Sequence, residues 1–452
     1  MIFKRKIYNK LLDWKKSTLG SKALLIEGAR RIGKSTICRE FGKNEYRSLL
    51  FIDLSIASKT VRGAFENSLN DLDTFFMILS AEYGVNLYER ESLIVFDEIQ
   101  QYPPARQAIK HLVADRRYDY IETGSLISIK DNVKDITLPS EERRISMYPM
   151  DFEEFAMAMG EESLIKYIRD CYDRKSPLDQ NLHHKAMMLF RQYMIVGGMP
   201  KPLSVYIEND HSFEKADMEK RDILTLYRSD IMKINASYRS GVLTIFDQIP
   251  AFLSRSERRV VLSKIEKGLS YPKYSETFFW LADSMIVNEC FNCSDPNVGL
   301  SLNEERTYIK CYMSDTGLLI SHTFDENEIF DSELYKELLV GKLSVNEGMF
   351  YENVIAQMLV AAGHKLYFYT RYNVEKHRND IEIDFIISNS SKLKYKIFPI
   401  EVKSKEKYQT TSLERFNDIF HRRIGNSIVI HPKNLKTENN TLFIPAYMTF
   451  CL

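Results

Sequence analysis

Over its first 150 residues the chain alternates short apolar runs with longer stretches in which apolar residues return at helical spacing. The runs Ala23 to Ile26, Leu49 to Ile52, Leu93 to Phe96 and Asp119 to Glu122 read as strands. Continuous apolar strands separated by helices predict a parallel sheet buried on both faces. After Tyr148-Pro149-Met150-Asp151 the strand signals stop. Long helical segments then run to about Lys233, broken at Val196-Gly197-Gly198-Met199-Pro200. From about Tyr238 to His322 the pattern gives three short helical stretches and strands at Met285 to Phe291 and Tyr308 to Met313, an order that suits a winged-helix module. Beyond a short acidic stretch near Asp325 to Glu333, a helix from about Asn346 to Ala362 leads into strands around Lys365 to Tyr369, Ile381 to Ile387 and Lys396 to Val402. The last block is therefore α+β, and the chain as a whole is α/β in class.

Composition narrows this picture. A length of 452 residues corresponds to roughly three domains at about 150 residues each. With 44% hydrophobic and 27% charged residues the chain is an ordinary folded one, not a disordered one. Its basic start has no apolar segment behind it and no run reaches the length of a membrane span, so neither export nor membrane insertion is expected, and the expected location is the cytoplasm. Six scattered cysteines read as reduced thiols. Charge balances at 62 against 62, but residues 361–452 hold 15 Lys+Arg against 9 Asp+Glu, so this tail carries +6. A basic end on a neutral chain is compatible with a polyanion partner for that end.

Between the first strand and the helical run Ser35 to Phe41 lies Gly28-Ala29-Arg30-Arg31-Ile32-Gly33-Lys34-Ser35, which satisfies G-x-x-x-x-G-K-[ST]. In this context glycines let backbone N–H groups turn inward and cradle phosphates at a helix N-terminus. The expected cofactors are ATP and Mg²⁺. Residues Gly28 to Ser35, with Thr36 next, form the nucleotide set; Lys34 reaches the β- and γ-phosphates and the Ser35 hydroxyl ligates the metal. The strand Leu93-Ile94-Val95-Phe96-Asp97-Glu98 supplies the second half of such a site. Asp97 holds Mg²⁺ through its water shell, and Glu98 orients and deprotonates the attacking water. Their adjacency points to hydrolysis and not to binding alone. Thr123 and Ser125, at the carboxyl end of the next strand where ligands of open parallel sheets collect, are candidates to sense the γ-phosphate.

The segments GARRIGKST, LIVFDEIQ, ETGSLIS and YPMDFEEF, followed by VGGMPKPL and LYRSDIMK, resemble the bacterial and archaeal AAA+-type ATPases with a DUF4143 C-terminal region. The likeness covers nearly the whole chain in the family's order. It implies a P-loop AAA+ core at 1–150, a helical lid at 151–235, the winged-helix module at 236–330 and a DUF4143 domain at 331–452. It also implies an arginine acting in trans ahead of YPMDFEEF, by position Arg143 or Arg144. Many members have Gly-Arg there, whereas this chain has Glu142 before Arg143.

In the last block, Glu352 lies in the helical stretch GMFYENVIAQML, Asp384 in the strand IEIDFII and Glu401-Val402-Lys403 at the end of the strand IFPIEVK. Side chains alternate along a strand, so Glu401 and Lys403 share a face. Asp384 and Glu401 have the chemistry to bind Mg²⁺ for phosphodiester hydrolysis, with Lys403 positioning water or stabilising the phosphorane. The block resembles the PD-(D/E)xK nuclease fold with all four residues in place; the family likeness carries the fold further than it carries cleavage. Lys392, Lys394, Lys396, Lys405 and Lys407 surround the centre, and Arg255, Arg258, Arg259, Lys264, Lys267 and Lys273 precede the helical stretch Tyr274 to Met285, an arrangement suited to phosphate contact. The expected partners are DNA first, then a protein partner and further copies of the chain; a membrane is not among them. The competing reading is a nucleotide-gated adaptor, which binds a protein through the winged helix and an inactive nuclease fold.

Overall fold

All four runs expected as strands in the first 150 residues pair within one sheet. The structure is a computed structural model, and it describes residues 1–124, 141–255, 260, 278–325, 332–340, 347–373, 375, 377–388 and 396–452. Ser125, Arg258, Arg259, Lys264, Lys267, Lys273, Lys392 and Lys394 lie outside the described residues, as do residues 274–277 at the start of the helical stretch expected from Tyr274 to Met285. Strands β1 (Ala23–Glu27), β2 (Ser48–Asp53), β3 (Ser92–Asp97), β4 (Asp119–Gly124) and β5 (Glu142–Ser146) form a parallel sheet in the order β2-β3-β4-β1-β5. β1, β3 and β4 are buried at every position, as apolar strands covered by helices on both faces must be. β5 was not anticipated. Its sequence ERRIS has no apolar run, and it is tolerated because it lies at the sheet edge with one partner. Helices Lys59–Asn67, Leu72–Tyr83 and Pro103–Asp115 cover one face, where Phe65 meets Phe75, Phe96 and Tyr102 edge-on.

The described residues divide into two units, Met1–Tyr148 with Asp283–Met285 and Pro149–Ala282 with Ile286–Leu452. The second opens with helices Phe152–Ala158, Glu162–Arg174, Gln180–Val196, Pro200–Glu208, Phe213–Ile231 and Ala236–Ser254. They match the helical pattern of the sequence, including the break at Val196 to Pro200. An eight-stranded mixed sheet follows: β6 (Val287–Cys293), β7 (Glu304–Met313), β8 (Leu366–Asn373), β9 (Arg378–Ser388), β10 (Ile397–Val402), β11 (Ser427–His431), β12 (Lys436–Glu438) and β13 (Thr441–Pro445), in the order β12-β13-β11-β10-β9-β8-β6-β7. This corrects one expectation. The hairpin β6–β7 is not the wing of a separate module; β6 pairs in parallel with β8 and extends the C-terminal sheet. The first of the short helices expected after Tyr238 is also a single 19-residue helix that passes through Pro250.

Two of the chain's distinctive segments meet in this second unit as packing. Asp151 caps Phe152–Ala158 in a reciprocal capping box with Glu154. Met150 N–H donates to Gly198 O at 2.8 Å, and Gly198 N–H donates to the buried Asp315 carboxylate at 2.6 Å. A Cβ on Gly198 would sit 2.0 Å from Met150 O, and one on Gly317 would sit 2.4 Å from Val196 O. Gly198 and Gly317 are therefore places where backbone approaches backbone, while Gly197, at φ 82°, sits against the Asp315 carboxylate.

Candidate active site

The loop between β1 and the helix Lys34–Glu45 is shaped by two left-handed residues, Arg31 at φ 68° and Gly33 at φ 96°. Gly33 takes this region without strain, and left-handed residues of this kind let the N–H groups of a phosphate loop turn toward an anion. At Gly28 the constraint is space: a Cβ would lie 2.6 Å from Met147 O and 2.4 Å from Ile32 Cδ1. Lys34 crosses the loop, its Nζ donating to Gly28 O at 2.8 Å and Ala29 O at 2.9 Å. Burial pushes the Lys34 ammonium's pKa down, while Glu98 and Asp97 oppose the shift. The nearby carboxylates thus help to hold the charge that burial penalises.

Sheet order brings the rest together. β1 neighbours β4 and β4 neighbours β3, with Ile26 opposite Thr123 and Phe96 opposite Glu122, so the carboxyl ends of three strands line up beneath the loop. Ser35 Oγ donates to Asp97 Oδ1 at 2.9 Å, and Thr123 Oγ1 donates to the same oxygen. Glu98 N–H donates to Thr123 Oγ1 at 3.2 Å. The chain leaves β3 through Glu98 in the left-handed region, φ 56° and ψ 49°, into a single 3-10 turn at Ile99–Gln101. That turn places the Gln100 carboxamide as donor to the Glu98 carboxylate. A glycine-walled cradle, a buried ammonium across it and a carboxylate gathered by two hydroxyls together fit a nucleotide triphosphate with a divalent cation. Gln100 was not singled out in the sequence; its only signal was its place two residues after Glu98.

The arginines ahead of YPMDFEEF lie on β5. Arg143 is exposed and donates to Ser17 Oγ at 3.1 Å, while Arg144 pairs with Glu142 at 2.7 Å. Glu142 also pairs with the buried Arg106 at 2.7 Å, and Arg106 reaches Glu122 at 3.3 Å. Burial, reinforced by Glu142 and opposed by Arg106, pushes the Glu122 carboxyl up to about 8. Glu142 thus belongs to a buried charge group that ties β5 to β4.

In the second unit, β9 and β10 bring Asp384, Glu401 and Lys403 together. One step beyond the Ile400–Phe385 pair of the antiparallel register, Glu401 faces Asp384. Val402 N–H donates to Asp384 Oδ2 at 2.8 Å, and Lys403 Nζ bonds Glu401 Oε1 at 2.7 Å. Burial pushes the Glu401 carboxyl up to about 7 against the pull of Lys403, which leaves it partly protonated near neutrality. Glu352 is engaged elsewhere. It is fully buried and accepts from Lys310 Nζ at 3.3 Å and from the Tyr312 hydroxyl, while Lys310 also faces Glu382 at 3.6 Å. Among the described residues no three His, Cys, Asp or Glu side chains converge on a metal position. Each member of the acidic set is bonded to a donor of its own: Lys403 Nζ for Glu401, the Val402 N–H for Asp384, and Lys310 with Tyr312 for Glu352.

Comparison with known proteins places three families along the chain. Residues 20–156 match the family described as AAA domain; residues 187–328 and 347–448 match two domains of unknown function, DUF8612 and DUF4143. No curated protein matches the chain. Among solved structures, AMPPCP-bound DnaA from Aquifex aeolicus is similar at 12% identity and a TM-score of 0.31, over 61% of this chain and 78% of that one. The ADP form of ORC2 from Aeropyrum pernix is similar at 10% identity and a TM-score of 0.30, over 75% and 93%. Cdc6p from Pyrobaculum aerophilum is similar at 11% identity and a TM-score of 0.27, over 74% and 93%.

Proposed function

We propose that this chain, an AAA-type ATPase with a DUF4143 domain, hydrolyses ATP with Mg²⁺ and uses nucleotide state to control a DNA-binding C-terminal half. The observation that carries the reading is the convergence of Ser35 Oγ and Thr123 Oγ1 on Asp97 Oδ1 beside the buried Lys34. Bound Mg·ATP supplies an electrophilic γ-phosphorus and a leaving group already partly neutralised. The loop N–H groups and Lys34 bind and orient the phosphates, and Ser35 with Asp97 holds the cation. Glu98 takes the proton of the attacking water. Thr123, bonded to both Asp97 and the Glu98 backbone, links cation position to base position. For DNA, support comes from the +6 charge of residues 361–452 and from Lys405 and Lys407, which are exposed just past β10.

Lys34→Ala should abolish tight nucleotide binding, whereas Glu98→Gln should preserve it and remove turnover. Wild-type ATPase rates for Glu98→Gln would refute Glu98 as the base. Retention of plasmid, linear and single-stranded DNA should differ between ATP-bound Glu98→Gln and Lys34→Ala proteins. No retention in any nucleotide state would favour the adaptor reading, with a protein as the partner.

A further inference from the structure

We infer that Gln100 is a positioning residue for the Glu98 carboxylate, and that Glu98 turnover depends on its neutral donor. The inference rests on the reading of Glu98 as the base. A general base must hold its oxygen within hydrogen-bond reach of the water it deprotonates, and geometry precedes proton affinity in that task. Glu98 is half-buried at the end of β3, and its backbone and side chain are fixed by different partners. Thr123 Oγ1 accepts from its backbone N–H at 3.2 Å, and the Gln100 carboxamide donates to its carboxylate. The left-handed Glu98 and the 3-10 turn after it curl the chain so that residues 98 and 100 face one another. A non-glycine residue held in that region marks a place where the surroundings over-determine the backbone.

The donor's chemistry suits the task. Gln100 is 4% exposed, so its amide is held by the protein and shielded from solvent. A carboxylate can only accept, which fixes the NH₂ end of the carboxamide toward Glu98. A lysine or arginine there would form an ion pair and reduce the basicity a general base needs. An amide fixes the oxygen's position while adding no charge. Thr123 and Gln100 then divide the work: the first couples Glu98 to the cation ligand Asp97, and the second orients only the base.

This division predicts a split between binding and turnover. Gln100→Met keeps the side-chain length and removes the donor. It should lower kcat roughly tenfold or more, as expected for a lost hydrogen bond to a charged acceptor, while KM and fluorescent-ATP affinity stay within about twofold. Gln100→Glu keeps the shape and opposes like charges, so it should lose at least as much kcat; it serves as the second variant if Gln100→Met melts early by circular dichroism. Single-turnover rates in the Glu98→Gln background separate positioning from general support. If Gln100 acts through Glu98, adding Gln100→Met there should change the residual rate by less than about twofold. A wild-type kcat in both Gln100 variants, or the same fold loss with and without Glu98, would overturn the inference. Should Glu98→Gln alone hydrolyse ATP at the wild-type rate, the base assignment itself fails and the role of Gln100 falls with it.

Discussion

Lys310→Met tests whether Glu352 belongs to a catalytic set or to the core. Both side chains are fully buried with Nζ and Oε1 3.3 Å apart, and the Tyr312 hydroxyl donates to the same oxygen. Methionine fills the lysine's volume, so the packing loss is small and the main effect is a buried carboxylate deprived of its cation. Breaking such a pair on one side costs about 3–5 kcal/mol. The expected loss relative to wild type at pH 7 is therefore about 3 kcal/mol. Lys310→Met/Glu352→Gln should recover most of that loss, because the buried carboxylate is gone as well. Urea denaturation at pH 7, with unchanged m, measures both variants. A cost below about 1 kcal/mol for Lys310→Met, or no recovery in the double variant, would refute the argument and return Glu352 to the candidate catalytic residues.

Two further outcomes follow from the same geometry. The folded Glu401 carboxyl sits at about 7, above its unfolded value, so its contribution is fully favourable below the unfolded pKa, about 4.3, and is lost as pH rises toward 7. In chelator-treated protein, Glu401→Gln should gain stability over wild type at pH 8 but not at pH 4.5; equal differences at both pH values would show that burial does not hold the proton. Gly198→Ala places a Cβ 2.0 Å from Met150 O, where backbone must move, and should cost at least about 2 kcal/mol in urea denaturation; a near-neutral effect would mean the VGGMP segment is not a packing constraint.

The nucleotide site was readable because its parts are local. The phosphate loop is eight consecutive residues, and the Asp97-Glu98 pair ends a run of four apolar residues; each fragment carries its own strand or helix context. Joining them required only the parallel sheet that the apolar runs already implied. β5 escaped notice for a physical reason. Its ERRIS sequence is polar, and it is held by pairing with β1 and by the buried Arg106–Glu142 contact, which spans 36 residues and leaves no periodic trace. The hairpin β6–β7 was found as strands but assigned to the wrong neighbourhood, because strand pairing between β6 and β8 depends on residues more than 70 positions apart.

The C-terminal carboxylates show where a motif stops being informative. Acid–x–lysine on one strand face gave the Glu401–Lys403 contact correctly, since alternation alone sets it. What the spacing could not supply was the state of each acid. That state is set by donors from other elements: Val402 N–H for Asp384, and Lys310 with Tyr312 for Glu352. A lysine inside the strand Tyr308-Ile309-Lys310-Cys311-Tyr312 and an acid inside an apolar helix are each costly to bury alone. Two such costs in one domain point toward each other, because pairing is the cheapest way to bury both. An unpaired ionisable residue in an apolar run is thus evidence of a partner before it is evidence of a catalyst, and here the partner of Glu352 is Lys310.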